Sequence, residues 1–170
     1  MEAAPSEQVQ ERPKFAVRDL VRTLEFDGIK LADSSSRVPQ RPRWVEFELY
    51  RTPINTYVLS RVGYSLYYHS QECYTVQRNK LSAVDGLELS GAYVACDKCN
   101  PQRADIEGVY PETPRYRAWH CTEAVGVVAL LMKEDDNGTE YLTNVARRLL
   151  MEASKLDKNI ASAFLVDRIG

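Results

Sequence analysis

Residues 44–69 read WVEFELYRTPINTYVLSRVGYSLYYH, and this stretch decides the fold class. Val45, Phe47 and Leu49 alternate with Glu46, Glu48 and Tyr50. Beyond Pro53, Ile54, Thr56, Val58, Ser60 and Val62 alternate with Tyr57, Leu59 and Arg61. Beyond Gly63, Tyr64, Leu66 and Tyr68 alternate with Ser65, Tyr67 and His69. A period of two sends successive side chains to opposite faces of a pleated surface, and β-branched and aromatic residues suit that surface. The reading is an antiparallel meander of three strands, with connections short enough to make them sequential neighbours.

Upstream of this stretch, Ser34, Ser35, Ser36, Pro39 and Pro42 mark a loop. Phe15, Val17, Leu20, Val21, Leu24 and Ile29 are spaced as in a short amphipathic helix followed by a strand over residues 24–31. Residues 1–14 hold Pro5, Pro13 and several Glu and Gln but few large apolar side chains. Such a segment buries too little surface to offset its ordering entropy, so a flexible arm is expected there, with residues 15–170 forming a single domain.

Downstream, Asp85-Gly86 signals a turn ahead of a strand at residues 92–95. Residues 102–119 contain Pro111 and Pro114 with little periodicity and read as a structured loop. Thr122 can cap a helix over residues 123–133, whose apolar stretch from 125 to 132 has no polar face and predicts burial. A second helix is expected from Thr139, with Leu142, Val145, Leu149, Ala153 and Leu156 on one face and Arg147, Arg148 and Glu152 opposite. A last helical segment over residues 160–169 follows a bend near Asp157. The expected architecture is α+β: an antiparallel sheet from residues 44–69 and 92–95, with a C-terminal helical pair packed on one face.

All four cysteines and both histidines fall between residues 69 and 121, in the order His69, Cys73, Cys96, Cys99, His120, Cys121. Cys96-Asp97-Lys98-Cys99 follows the 92–95 strand directly, and Asn100-Pro101 closes it. A C-x-x-C turn brings two thiolates to one ion, and zinc takes four such ligands at a tetrahedral centre. The proline after Asn100 also opposes the helix that a thioredoxin-type redox pair requires around its second cysteine. The expected cofactor is therefore a structural zinc ion on a zinc-knuckle-like connection, held by Cys73, Cys96, Cys99 and Cys121, with His69 or His120 as substitutes. A knuckle paired with ligands at a helix start resembles the treble-clef arrangement, although a second C-x-x-C is missing at the helix. The competing readings are four buried free thiols and a cysteine- or zinc-dependent enzyme.

A chain of 170 residues with a net charge of −2 has the size of one domain and lacks the overall basic field of a non-specific nucleic-acid binder. Charge is uneven, however. Arg37, Arg41, Arg43, Arg51 and Arg61 face only Glu46 and Glu48 between residues 37 and 61. With the tyrosines of the strands, a set such as Arg43, Arg51, Tyr57, Arg61 and Tyr67 would make a stacking and phosphate-contacting sheet for single-stranded nucleic acid. The alternative is that tyrosine here is a good strand former with a half-buried ring.

No P-loop, dinucleotide fingerprint, metalloprotease motif or nucleophile elbow is present. Neither a secretory signal nor an apolar run of membrane-spanning length is read, so a cytoplasmic protein without membrane contact is expected. The function expected from these features is non-enzymatic binding or adaptor activity with another protein as partner. Nucleic-acid binding through the Arg/Tyr sheet stands second, and catalysis third.

Overall fold

The computed structural model describes residues 14–85, 92–102 and 108–165. The expected N-terminal arm lies almost wholly outside them, as do Gly86 of the Asp85-Gly86 turn and the end of the last helical segment. In chain order the elements are β1 (Lys14–Asp19), β2 (Arg22–Asp27), β3 (Ile29–Ser35), β4 (Arg43–Arg51), β5 (Tyr57–Ser65), β6 (Tyr67–His69), α1 (Tyr74–Asn79), β7 (Val94–Ala95), β8 (Tyr110–Pro111), β9 (Arg115–Cys121), α2 (Ala124–Leu131), β10 (Lys133–Glu134), β11 (Glu140–Tyr141), α3 (Asn144–Ser154) and α4 (Lys158–Leu165).

The α+β class holds, and the C-terminal helices pack on one face of a four-stranded antiparallel sheet ordered β3-β4-β5-β9. Strand alternation builds its core. Phe47 and Leu49 of β4, Tyr57 and Leu59 of β5 and Cys121 of β9 point to one side, where Val127 and Leu131 of α2, Leu149 and Leu150 of α3 and Ile160 of α4 close over them. Tyr50, Val58 and Ala118 point to the other side, where Phe15, Val17, Leu24 and Phe26 of the β1-β2 hairpin cover them.

The meander is confirmed for its first two strands and corrected for the third. β4 and β5 pair in continuous register from Arg43↔Ser65 to Arg51↔Tyr57, so Gly63 does not end a strand. The third segment supplies only β6, which leaves the main sheet and pairs instead with β7 in parallel and β8 antiparallel. The place beside β5 goes to β9, in the stretch expected to be a loop. Two charged residues, Arg115 and Arg117, occupy the face that carries Trp119 and Cys121, and this masks the strand's alternation.

The helix expected near the N-terminus is a hairpin. Leu20 and Val21, whose spacing suggested a helix, are the exposed turn residues, 61% and 93% accessible, and only Phe15, Val17, Leu24 and Phe26 are packed. Helix α2 matches its expected span but buries one face only, through Ala124, Val127 and Leu131, and leaves Val125 and Leu130 accessible. Helix α3 begins later than expected, because residues 133–141 first form the β10-β11 hairpin around Gly138. Thr143 is its cap, accepting a hydrogen bond at Oγ1 from the Ala146 amide at 3.3 Å.

Asp157, at the expected bend, is a structural hub. It is buried, caps α4 by accepting from the Ile160 amide at 2.9 Å, and takes Arg51 at 2.9 Å and the Tyr57 hydroxyl at 3.0 Å.

Candidate metal centre

Between β5 and β9 the chain makes an excursion, and the small sheet β7-β6-β8 with α1 is built there. Its strands are two and three residues long and its helix six. Among the described residues, Cys73, Val76 and Cys96 form a buried cluster there, with Leu81, Cys99 and Tyr110 against them. Strands and a helix this short gain little stability from a cluster of this size.

Four side chains meet in that core. His69 closes β6, Cys73 is the cap residue of α1, and Cys96 and Cys99 follow β7. One ligand atom from each lies within 4.8 Å of all the others. The parallel pairing of β6 with β7 sets this geometry, because the Cys96 amide donates to the Tyr68 carbonyl and so places the knuckle beside His69. The knuckle turns back on itself through the Asn100 amide, which donates to the Cys96 carbonyl at 2.7 Å, and Asn100 adopts φ 40. Asparagine tolerates that left-handed conformation better than most residues.

Zinc–sulfur bonds of about 2.3 Å and zinc–nitrogen bonds of about 2.0 Å in a tetrahedron put S and N roughly 3.6 Å apart. His69 Nδ1 and Cys73 Sγ are 3.4 Å apart. The cluster is thus a cage of the right size and donor chemistry for a metal ion.

The surroundings support it in two ways. The Cys73 thiol is pushed up by burial, yet the hydrogen bond from the Thr75 amide, with the contact to His69, outweighs this and brings its pKa down to about 7. Cys99 is raised, by burial first and then by its hydrogen bonds with Cys73 and Cys96, against the lowering effect of hydrogen bonds with Ser70. The second support is Glu112, which lies just after β8 with a side chain only 6% accessible. His69 Nε2 is 2.9 Å from its Oε1, and Arg43 donates to the same oxygen at 2.7 Å. Burial raises the Glu112 pKa, but hydrogen bonds from Ser65, His69 and Arg43 hold it below the usual carboxylate value. A carboxylate on Nε2 fixes the proton there and leaves Nδ1 as the acceptor facing the sulfurs, the orientation a ligating histidine needs.

Cys121 and His120 lie elsewhere. Cys121 sits in the main core, opposite Tyr57 in the β5-β9 register and within reach of α2 at Gly126. Only burial acts on its thiol, raising the pKa. His120 points to the opposite face of β9, where Nε2 meets Thr56 Oγ1 at 2.8 Å. Cys121 is not among the side chains that converge, because β9 carries it into the core of the large sheet while Cys73, Cys96 and Cys99 lie in the excursion. His69 is the fourth member of the cluster.

Of the five residues considered for nucleic-acid contact, Arg43, Arg51, Tyr57 and Arg61 share the face of the main sheet on which the helices pack, and Tyr67 lies in the small sheet. Tyr57 is buried with its hydroxyl on Asp157, and Arg51 is held by the same carboxylate. Arg43 lies over the Tyr67 ring while paired with Glu112, and it lines one cleft together with Arg61, apart from Arg51 and Tyr57.

Glu112 and Asp157, the two carboxylates that organise the structure, were not singled out by chemistry in the sequence. Glu112 stands in Pro111-Glu112-Thr113-Pro114 with no periodicity to give it a face. Among the described residues, no helix is long and apolar enough to cross a membrane. No protein-family model matches the chain, and neither a curated protein nor a solved structure is similar to it.

Proposed function

We propose that His69, Cys73, Cys96 and Cys99 bind one zinc ion with a structural role, and that the protein is a non-enzymatic intracellular binding or adaptor protein. The observation that carries the reading is the convergence of four ligand atoms within 4.8 Å in a sub-structure whose buried cluster, among the described residues, is small. Four protein ligands fill a tetrahedron, whereas hydrolytic zinc keeps a position for water. The ion's work is then to join β6, α1 and the knuckle around their small buried cluster. Three free thiols in so small a cluster fit a reducing compartment, where they persist as metal ligands instead of disulfides. The main sheet with its helices supplies the rigid body, and the zinc-held excursion is presented from it.

Metal analysis of the purified protein tests this, together with Cys96→Ser. One equivalent of zinc is expected, lost in the variant along with several degrees of melting temperature. Less than about half an equivalent in the wild type, with an unchanged melting temperature in Cys96→Ser, refutes the structural-zinc reading.

A further inference from the structure

Strands β5 and β9 carry an arrangement that folding alone does not explain. Arg61 and Arg117 are directly opposite in the ladder, and Arg115 is opposite Gly63. Like charges placed directly across a sheet are destabilising. Arg117 is relieved by Asp19, whose carboxylate lies 3.2 Å from its Nε. Among the described residues neither Arg61 nor Arg115 has a carboxylate within salt-bridge distance. Burial, and then the charges of Arg115 and Arg117, push the pKa of Arg61 down.

These two arginines line a cleft of about 270 Å³ with Arg43, Ser65, Trp44 and Gly63. One acidic side chain, Glu112, is also in the wall, and it is already committed to Arg43 and His69. Gly63 forms part of the floor. It sits within the continuous β4-β5 register, its φ is not positive, and a Cβ there would meet nothing closer than 3.8 Å. Neither backbone conformation nor crowding requires glycine, and a glycine inside a strand costs stability. Its effect is to leave open the space beside the Arg61 guanidinium, whose Nη1 would lie 3.9 Å from that Cβ. Glycine in a strand interior often marks the close approach of a ligand.

We infer that this cleft binds a phosphomonoester, with the dianionic phosphoryl group between Arg61 and Arg115 and Ser65 as a further hydrogen-bond partner. Guanidinium groups match phosphate oxygens in pairs, and a dianion cancels the repulsion between the two strands. The cleft is smaller than the roughly 300–1,000 Å³ of sites that enclose drug-sized ligands, so it suits a phosphoryl group with a small substituent and not a nucleic-acid strand. The phosphoryl group could be carried by a small molecule or by a phosphorylated side chain of a protein partner. The inference goes beyond the zinc reading and stands without it.

The test is calorimetric titration of the full chain, at low salt, with phenyl phosphate, a phosphotyrosine peptide and a single-stranded oligonucleotide. Saturable one-to-one binding of phenyl phosphate is expected. Arg61→Gln and Arg115→Gln should each weaken it about tenfold or more, the scale for losing a charge-assisted hydrogen bond. Gly63→Val should weaken it by filling the floor, and Arg147→Gln, on exposed α3, should leave it unchanged. Without ligand, Arg61→Gln should melt no lower than the wild type, because it relieves like-charge crowding. Tighter binding of the phosphopeptide assigns the group to a protein partner, and equal binding assigns it to a small molecule; both support the inference. Absence of saturable binding by well-folded protein overturns it, as does unchanged affinity in Arg61→Gln or preference for the oligonucleotide. Each of these outcomes can be read whether or not the purified protein holds zinc.

Discussion

Replacing Glu112 gives the sharpest test of the proposed metal centre, because this residue touches no sulfur of the cluster and would act on it only through His69. Its buried carboxylate accepts from His69 Nε2 at 2.9 Å, and it also holds Arg43, whose side chain is 60% exposed. The exposed arginine contributes little, since solvent screens it. The buried His69 contact is a charge-assisted hydrogen bond, for which about 2 kcal/mol is typical. Converted at about 1.4 kcal/mol per factor of ten, Glu112→Ala should weaken zinc binding roughly thirtyfold. The general range for losing such a supporting carboxylate, about 10–100-fold, gives the same answer by a separate route. Glu112→Gln keeps an acceptor but not the charge, so about half of the effect in free energy, roughly fivefold, should remain. Competition against a chromophoric zinc chelator at neutral pH measures both. Folding of each variant is checked by circular dichroism, since the four-stranded sheet does not rest on Glu112. Wild-type affinity in both folded variants would refute the claim that His69 is a ligand held in place by Glu112.

Two further outcomes follow from the structure. Asp157→Asn keeps the size of the side chain but removes the charge facing Arg51, and the buried, hydrogen-bonded pair should cost about 3 kcal/mol in denaturant unfolding. The Asp157 pKa is held low by the Ile160 amide, Arg51 and Tyr57 against the upward push of burial. A carboxyl with a depressed folded-state pKa contributes fully above its unfolded value near 3.8 and loses the contribution as pH falls through the lower folded value. The gap between wild type and variant should therefore be constant at neutral pH and close only in acid; a gap that widens on acidification would contradict the assignment. Cys121→Ser should leave zinc stoichiometry and affinity unchanged while lowering stability by about 1–2 kcal/mol, because a hydroxyl replaces a thiol in the apolar core. Loss of zinc in that variant would restore Cys121 to the ligand set.

How much of this was legible in advance differs by element. The β4-β5 hairpin could be read because one of its faces is packed along most of its length, and a period of two then shows in the residue types. Strand β9 could not, because its inward positions change along the strand from Cys121 and Trp119 under the helices to Arg117 and Arg115 beyond them. Helix α3 was legible from Val145 onward, where its buried stripe begins, but its start was not. Leu142 packs against the same core from outside the helix and extends the pattern falsely. At the N-terminus, two exposed turn residues imitated a helical repeat.

The candidate site divides the same way. Residue chemistry and spacing alone determined that a metal centre, if present, would draw on His69, Cys73, Cys96, Cys99, His120 and Cys121, and that the C-x-x-C turn would be at its heart. Which four come together was decided only by the tertiary structure. Sequence separation does not distinguish Cys73 from Cys121 as partners of Cys96, but sheet membership does. Parallel pairing of β6 with β7 carries His69 and Cys73 to the knuckle, while β9 returns to the edge of β5 and takes Cys121 into a different core. Glu112 and the Arg61–Arg115 cleft are likewise products of strand register, a long-range property that no local pattern in this chain encodes.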